Sequence, residues 1–178
     1  MRRLLALAAT LSLVASAVLY ANPLAQPDWG KFEIEFEGKD KAWQEIQAQM
    51  PVAPRSANLI EVQLDSSTRN KLFIDALSLS SGEDGVVRYT AILRTPSGAE
   101  NVTFEGMRCE TGERKLYAFG RAGGEWSRNR YAKWELIQAR LAGGYHRELF
   151  FHYLCVVGEN RDVPTLLRLL KSGGSYQR

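Results

Sequence analysis

Histidine and cysteine are scarce in this chain, two of each among 178 residues, and the scarcity removes several chemistries at once. His146 and His152 stand six apart on a segment that reads as a helix, where the 3.6-residue turn sets them well apart around the axis and unfit to share a metal ion. No CxxC pair offers a zinc or redox motif. A GxSxG elbow, a Walker loop, an HExxH run and a glycine-rich dinucleotide fingerprint are absent as well. "GRAGG" is too short for a phosphate loop and lacks its Lys and Ser/Thr. Charge of one sign is also missing: 23 basic residues oppose 20 acidic ones and are interspersed with them, unlike the basic stripe of a nucleic-acid binder. No cofactor, no metal, no nucleic acid and no catalytic residue is therefore expected.

Long hydrophobic runs are lacking except at the start. Leu4 to Leu19 falls short of the roughly 20 residues that span a bilayer. It follows Met1, Arg2 and Arg3 and runs into small residues, the pattern of a secretory signal peptide over residues 1–21. Cleavage after Ala21 is favoured over cleavage after Ala17, and no transmembrane span would remain. The region has no cysteine to carry a lipid. Losing Arg2 and Arg3 takes the net charge from +3 to +1. The expected location is the periplasm, with the cell surface or secretion as the alternative.

In an oxidising compartment two cysteines are most simply a disulfide. Cys109 and Cys155 lie 46 positions apart, and closing such a loop stabilises the fold by about 4 kcal/mol through the unfolded chain.

Residues 22–40 read as an N-terminal arm in which Phe32, Ile34 and Phe36 alternate with Glu33, Glu35 and Glu37, as in an edge strand. Trp43, Ile46 and Met50 have helical spacing, but Pro51 and Pro54 end any helix, so a short helix or an extended arm is predicted. From Leu59 the period is that of strands: "LIEVQL", two short strands around Asp75, a turn at Gly82 to Gly85, and a long strand Val86 to Arg94. "TPSGAE" and "ETGE" supply hairpin turns between this strand, "NVTFEGMRC" and "RKLYAFGR". "RAGGEWSRNR" reads as a loop and "YAKWELI" as a last strand. Within "NVTFEGMRC" the alternation slips between Phe104 and Met107, and a bulge at Glu105 and Gly106 would restore it and turn Cys109 to the core. "YHRELFFHYLC" is an amphipathic helix after a Gly143–Gly144 breaker. "DVPTLLRLLK" is a second, short packed helix starting near Asp162, and residues 173–178 form a flexible tail.

The predicted fold is α+β: one domain over residues 41–172, a twisted antiparallel meander of about five or six strands with a C-terminal helix packed on one face. Paired carboxylates would be the remaining route to hydrolysis, with Glu105 the best single candidate because bulges re-aim side chains beside sites. Arg108, Tyr117, Arg121, Trp126, Arg128 and Arg130 form a basic and aromatic cluster suited to an acidic ligand or a glycan, since Trp, Tyr and Arg dominate binding hot spots. With Glu105 they make up the candidate binding face.

The pieces "WQEI", "PRSANLI", "FIDALSLSSGEDGVVRYT", "SGAENVTFEGMRC", "ERKLYAFGR" and the closing Tyr-Leu-Cys span about Trp43 to Cys155. Through them the chain resembles the cryptic neisserial protein (CNP-one-like) family of exported proteobacterial proteins. The resemblance implies export, no established catalytic role and no known cofactor, and it carries over no functional residues. A looser likeness, in the order of "FID", a hairpin, a strand ending in Cys and a "KLY" strand, is to adhesin E-type surface domains. The expected function is a non-enzymatic envelope binding or assembly module whose partner is an envelope protein or a glycan. The alternatives are a surface adhesin-like domain and a small glycan-processing hydrolase using Glu105.

Overall fold

A computed structural model of the chain describes residues 42–64, 68–137, 144–159 and 161–177. The expected signal peptide, its cleavage sites and the strand at Phe32 to Glu37 lie outside the described residues.

One antiparallel sheet organises everything from Ala42 onward. Its strands are β1 (Leu59–Val62), β2 (Lys71–Asp75), β3 (Ser80–Ser81), β4 (Val86–Arg94), β5 (Glu100–Arg108), β6 (Glu113–Gly120), β7 (Trp126–Arg128) and β8 (Glu135–Leu136). The spatial order is β1-β2-β4-β5-β6-β7, with β3 paired to the far end of β4 and β8 to the start of β6. Eight strands among the described residues thus replace the five or six predicted. The difference lies in short pieces: "EWSRN" pairs with β6 as β7 instead of looping, and "YAKWELI" contributes only the two residues of β8.

The three long strands account for the rest. Val86↔Arg108 through Arg94↔Glu100 pair without interruption, so β5 carries no bulge. The register shift lies in the β5–β6 pair, where Phe104 faces Ala118 and Glu105 faces Leu116, leaving Tyr117 of β6 as the extra residue. Alternation along β5 is therefore strict, and the apparent slip has another cause: both faces of the sheet are covered. Met107 is buried with Tyr89, Leu149 and Tyr153 in one core, while Phe104 is buried with Tyr117 and Ala118 in a second. One strand with two buried faces gives no clean polar alternation.

Helices cover the first face. Tyr145–Glu148 opens as a single α-turn (α1) and continues as a π-helix over Leu149–Leu154, with Leu149, Tyr153 and Leu154 buried. Cys155 follows, and it is bonded to Cys109 with a Cα–Cα distance of 5.4 Å, so the predicted staple between the second hairpin and this helix is present. The second helix, α2 (Val163–Lys171), starts where the sequence indicates. Asp162 caps it by accepting the Thr165 N–H at 2.8 Å, Pro164 sits in the first turn, and Leu166, Leu169 and Leu170 are buried. Gly174–Gln177 coils into a 3-10 turn, where a flexible tail was expected.

Residues 42–55 cover the second face. The segment lies on the sheet as an arm with no regular secondary structure, so of the two alternatives the short helix is not formed. Among the described residues no helix is long and apolar enough to cross a membrane.

Candidate functional site

The arm is held by the side chains beneath it. Asp84, in the turn before β4, accepts the Ile46 N–H at 2.8 Å, and the Arg88 guanidinium donates to the Ile46 carbonyl at 2.7 Å. Asp84 and Arg88 also pair at 2.6 Å with almost no solvent contact, 1% and 7% of their side chains exposed. Burial pushes the Asp84 carboxyl up, but Arg88 and the two backbone N–H donors outweigh it and hold the group below its usual range. Further along, Glu45 of the arm accepts Lys115 Nζ at 2.7 Å, Tyr117 Oη at 2.8 Å and Trp134 Nε1 at 3.2 Å. Trp126 Nε1 donates to the Pro51 carbonyl at 2.7 Å. Arg108 lies over the Trp43 ring at 4.1 Å. Gly106 leaves the space in which Tyr117 lies, since a Cβ there would sit 2.5 Å from the phenol oxygen.

The structure divides the candidate residues into three groups. Arg108, Tyr117 and Trp126 are engaged by the chain's own arm. Trp126 and Arg128 project to the arm face of β7, opposite Gly120 and Ala118, and Arg121 follows directly after β6. Arg121, Arg128 and Arg130 are exposed and, like Arg55, Arg69 and Arg161, make no ion pair with any described residue, Arg121 donating instead to Ser127 Oγ at 3.3 Å, whereas Arg88, Arg94, Arg108, Arg114, Arg147 and Arg168 each meet a carboxylate. Glu105 belongs to neither group. The absence of a bulge in β5 points it at the helix face, away from the other candidates, so it is not part of a common face with them.

Two grooves flank the arm and both reach β7. One, of about 290 Å³, is lined by Pro54, Ile92, Val102 and Trp126 and by the paired Arg94 and Glu100, with Arg121 also in its lining. The other, of about 270 Å³, lies between Glu45 and Met50 of the arm and Arg128. Both sit at or below the smallest cavities that take a whole cofactor, roughly 300 Å³.

On the helix face Glu105 is the centre of a polar node. One carboxylate oxygen accepts Thr103 Oγ1 at 2.7 Å and Tyr145 Oη at 2.5 Å; the other accepts Tyr89 Oη at 3.0 Å and meets His146 Nε2 at 2.8 Å. Burial alone would raise the carboxyl, but His146 and the hydroxyl donors pull it down to about 2. Such a group stays ionised and is no general acid at neutral pH. The same burial drives the Tyr89 and Tyr145 hydroxyls well above the usual phenol range. His146 is 16% exposed at its side chain and lies against Tyr145 at 4.0 Å between ring centroids. Among the described residues no three His, Cys, Asp or Glu side chains converge as metal ligands.

Sequence reasoning missed Glu45, Asp84 and Arg88 as the anchors of the arm. A signal was available in the need of a buried Arg, Lys and Tyr cluster for an acidic counterpart, but nothing in the spacing singled out Glu45, some 70 residues from Lys115.

Comparison with known proteins follows the same boundaries. The sequence model of the CNP1-like family matches residues 38–171. Cryptic neisserial protein 1 of Neisseria gonorrhoeae is 24% identical over 194 residues, covering 99% of this chain and 96% of that protein. No solved structure matches the chain.

Proposed function

The chain belongs to the CNP1-like family, and from that premise and the surface around β7 we propose that it is a non-enzymatic binding module of the bacterial envelope, exported by its N-terminal segment and working in the periplasm. The observation that carries this reading is the group of exposed arginines on and beside β7, Arg121, Arg128 and Arg130, which lack ion pairs among the described residues, next to a Trp126 groove on a sheet covered on both faces. Such a surface is preorganised, so little conformational entropy is lost when a ligand binds, and its composition is that of a hot spot. The ligand it suits is acidic. Glu105, on which a hydrolase reading depends, is sealed among four donors and kept ionised, which favours binding over catalysis.

Crosslinking in intact envelopes tests the reading, with the wild type compared with an Arg121→Glu, Arg128→Glu variant. The wild type should fractionate with the periplasm and yield a partner that the variant loses. An identical set of crosslinked products from both proteins would remove the β7 surface from consideration.

A further inference from the structure

The helix that leads to Cys155 leaves α-geometry over the stretch next to the disulfide. After the α-turn Tyr145–Glu148, the π-helix Leu149–Leu154 is closed by the Cys155 N–H, which donates to the Phe150 carbonyl, five residues back, at 3.0 Å. Helices of this kind are rare, short, and frequent at functional positions. Nothing local calls for one here: the run from Tyr145 to Cys155 has no Pro or Gly, and Tyr145, Leu149 and Tyr153 keep the four-residue spacing of an α-helical stripe.

The cause lies at the two ends. Tyr145 and His146 tie the first turn to the Glu105 carboxylate, and the bond to Cys109 ties the other end to the sheet. Each π-turn takes up one residue more than an α-turn, so the helix arrives at Cys155 about 100° behind an α-helix that starts at the same place. An uninterrupted α-helix would turn the Cys155 Cβ away from Cys109, and a disulfide needs Cβ atoms that face each other. Packing discriminates little between the two forms. Leu149 and Tyr153 stay on the stripe in both, while Leu154 moves in the α form towards the edge, where Phe150 is half-buried already.

The C-terminus rests on this segment. A Cβ added at Gly174 would sit 2.6 Å from the His152 carbonyl, and Ser175 Oγ bonds His152 Nδ1 at 2.9 Å. His152 turns with the helix, so both contacts belong to the π form.

We propose that the Cys109–Cys155 bond is a redox latch. Oxidised, it holds Leu149–Leu154 as a π-helix with the turn Gly174–Gln177 docked on it; reduced, the segment becomes α-helical and the turn is released. The reductant is a dithiol. Its thiolate attacks Cys109 Sγ, which is half-buried where Cys155 is buried, and Cys155 leaves as a thiolate and takes up a proton. The second thiolate of the dithiol then resolves the mixed disulfide, leaving two thiols on the chain and one disulfide on the reductant. The latch operates whatever binds at β7.

The test uses the isotope-labelled full chain, oxidised and then reduced with dithiothreitol, with hydrogen bonds read from nuclear couplings across them. The Cys155 N–H should be coupled to the Phe150 carbonyl before reduction and to the Phe151 carbonyl after it. Contacts between Ser175 and His152 should vanish on reduction while the amide shifts of β4 and β5 show the sheet still folded. A Cys155 bond to Phe150 that survives reduction overturns the proposal, as does an α pattern with Ser175 still on His152. A second chain, with the half-exposed Phe151 deleted, loses the surplus residue and keeps both cysteines. Oxidised, it should close the disulfide on an α-helix throughout. Should the reduced wild type unfold, this variant decides: free thiols, or a bond still reaching five residues back, overturn the proposal.

Discussion

The two faces of the sheet are covered by different means. On the helix face the cover is regular: Leu149, Tyr153 and Leu154 from the π-helix and Leu166 and Leu170 from α2 pack on Leu72, Ile74, Tyr89 and Met107, with one disulfide at the rim. Of its buried charges, Glu105 is surrounded by hydroxyls and one imidazole, and Glu148 of α1 is buried as well. On the arm face the apolar core is small, Phe104, Tyr117 and Ala118 with Ala48, Met50 and Trp126 packed beside it. The cover there is the arm, held by a buried ion pair, a carboxylate shared among three donors, and indole N–H groups. Hydrophobic area dominates the stability of the first face, and satisfied polar groups that would be costly to leave unpaired dominate the second.

The largest expected effect lies on the helix face. Replacing Cys109 and Cys155 by alanine opens a loop whose ends are 46 residues apart and should cost about 4 kcal/mol, a large share of the ~5 to 15 kcal/mol of a domain. Urea denaturation of the double variant against the oxidised wild type measures it. A loss under about 1 kcal/mol would mean that the packing under α1 and α2 closes the loop unaided.

On the arm face the corresponding break is Asp84→Ala. It strands Arg88, 6% exposed, without its counter-charge and takes away the acceptor of the Ile46 N–H. The cost should be about 3 kcal/mol, at the low end for a broken buried pair because Arg88 keeps the Ile46 carbonyl. A second change, Arg88→Met, should restore part of that loss. If Asp84→Ala alone were neutral in urea denaturation, the arm would be held by packing and the contrast between the faces would disappear.

The same contrast governs what could be read from the sequence. The helix face was legible because its signals are periodic: the stripe from Tyr145 to Leu154, the Asp162 and Pro164 start of α2, and the two cysteines. The bulge in β5 was an error there, and it arose from assuming a single buried face, so that Phe104 and Met107 could not both be buried without a slip. The arm face has no period. Glu45, Asp84 and Arg88 are recognisable only once the chain has brought them together, and the basic-aromatic cluster was found as a composition while its division between residues bound to the arm and residues left exposed was not. β7 was read as a loop because three residues among glycine and charge carry too short a pattern to register as a strand.

Acid probes the centre of the helix face. Glu105 has its carboxyl depressed from 4.5 to about 2 in the folded protein. The stability it contributes is therefore complete above its unfolded value and is lost as pH falls from about 4.5 towards 2. Glu105→Gln should flatten this limb of a stability profile measured by urea midpoints at pH 6, 4 and 2.5, and should cost about 2 kcal/mol at pH 6 by leaving donors mismatched around the amide. An unchanged acid limb would assign the pH dependence to other carboxylates, Asp84 first among them.

The smallest effect is the most informative about the arm. Glu45→Ala removes the acceptor of Lys115, Tyr117 and Trp134, yet Glu45 and Lys115 keep about a fifth of their side chains in water, which can take over part of the bonding. The loss should be about 1 kcal/mol, small enough that the sheet stays folded. Local opening and global unfolding have separate free energies, so hydrogen exchange can tell which of the two has changed. The Ile46 amide should exchange several-fold faster in the variant while amides of β4 and β5 keep their wild-type rates. Equal acceleration of all three would mean that arm and sheet open as one unit.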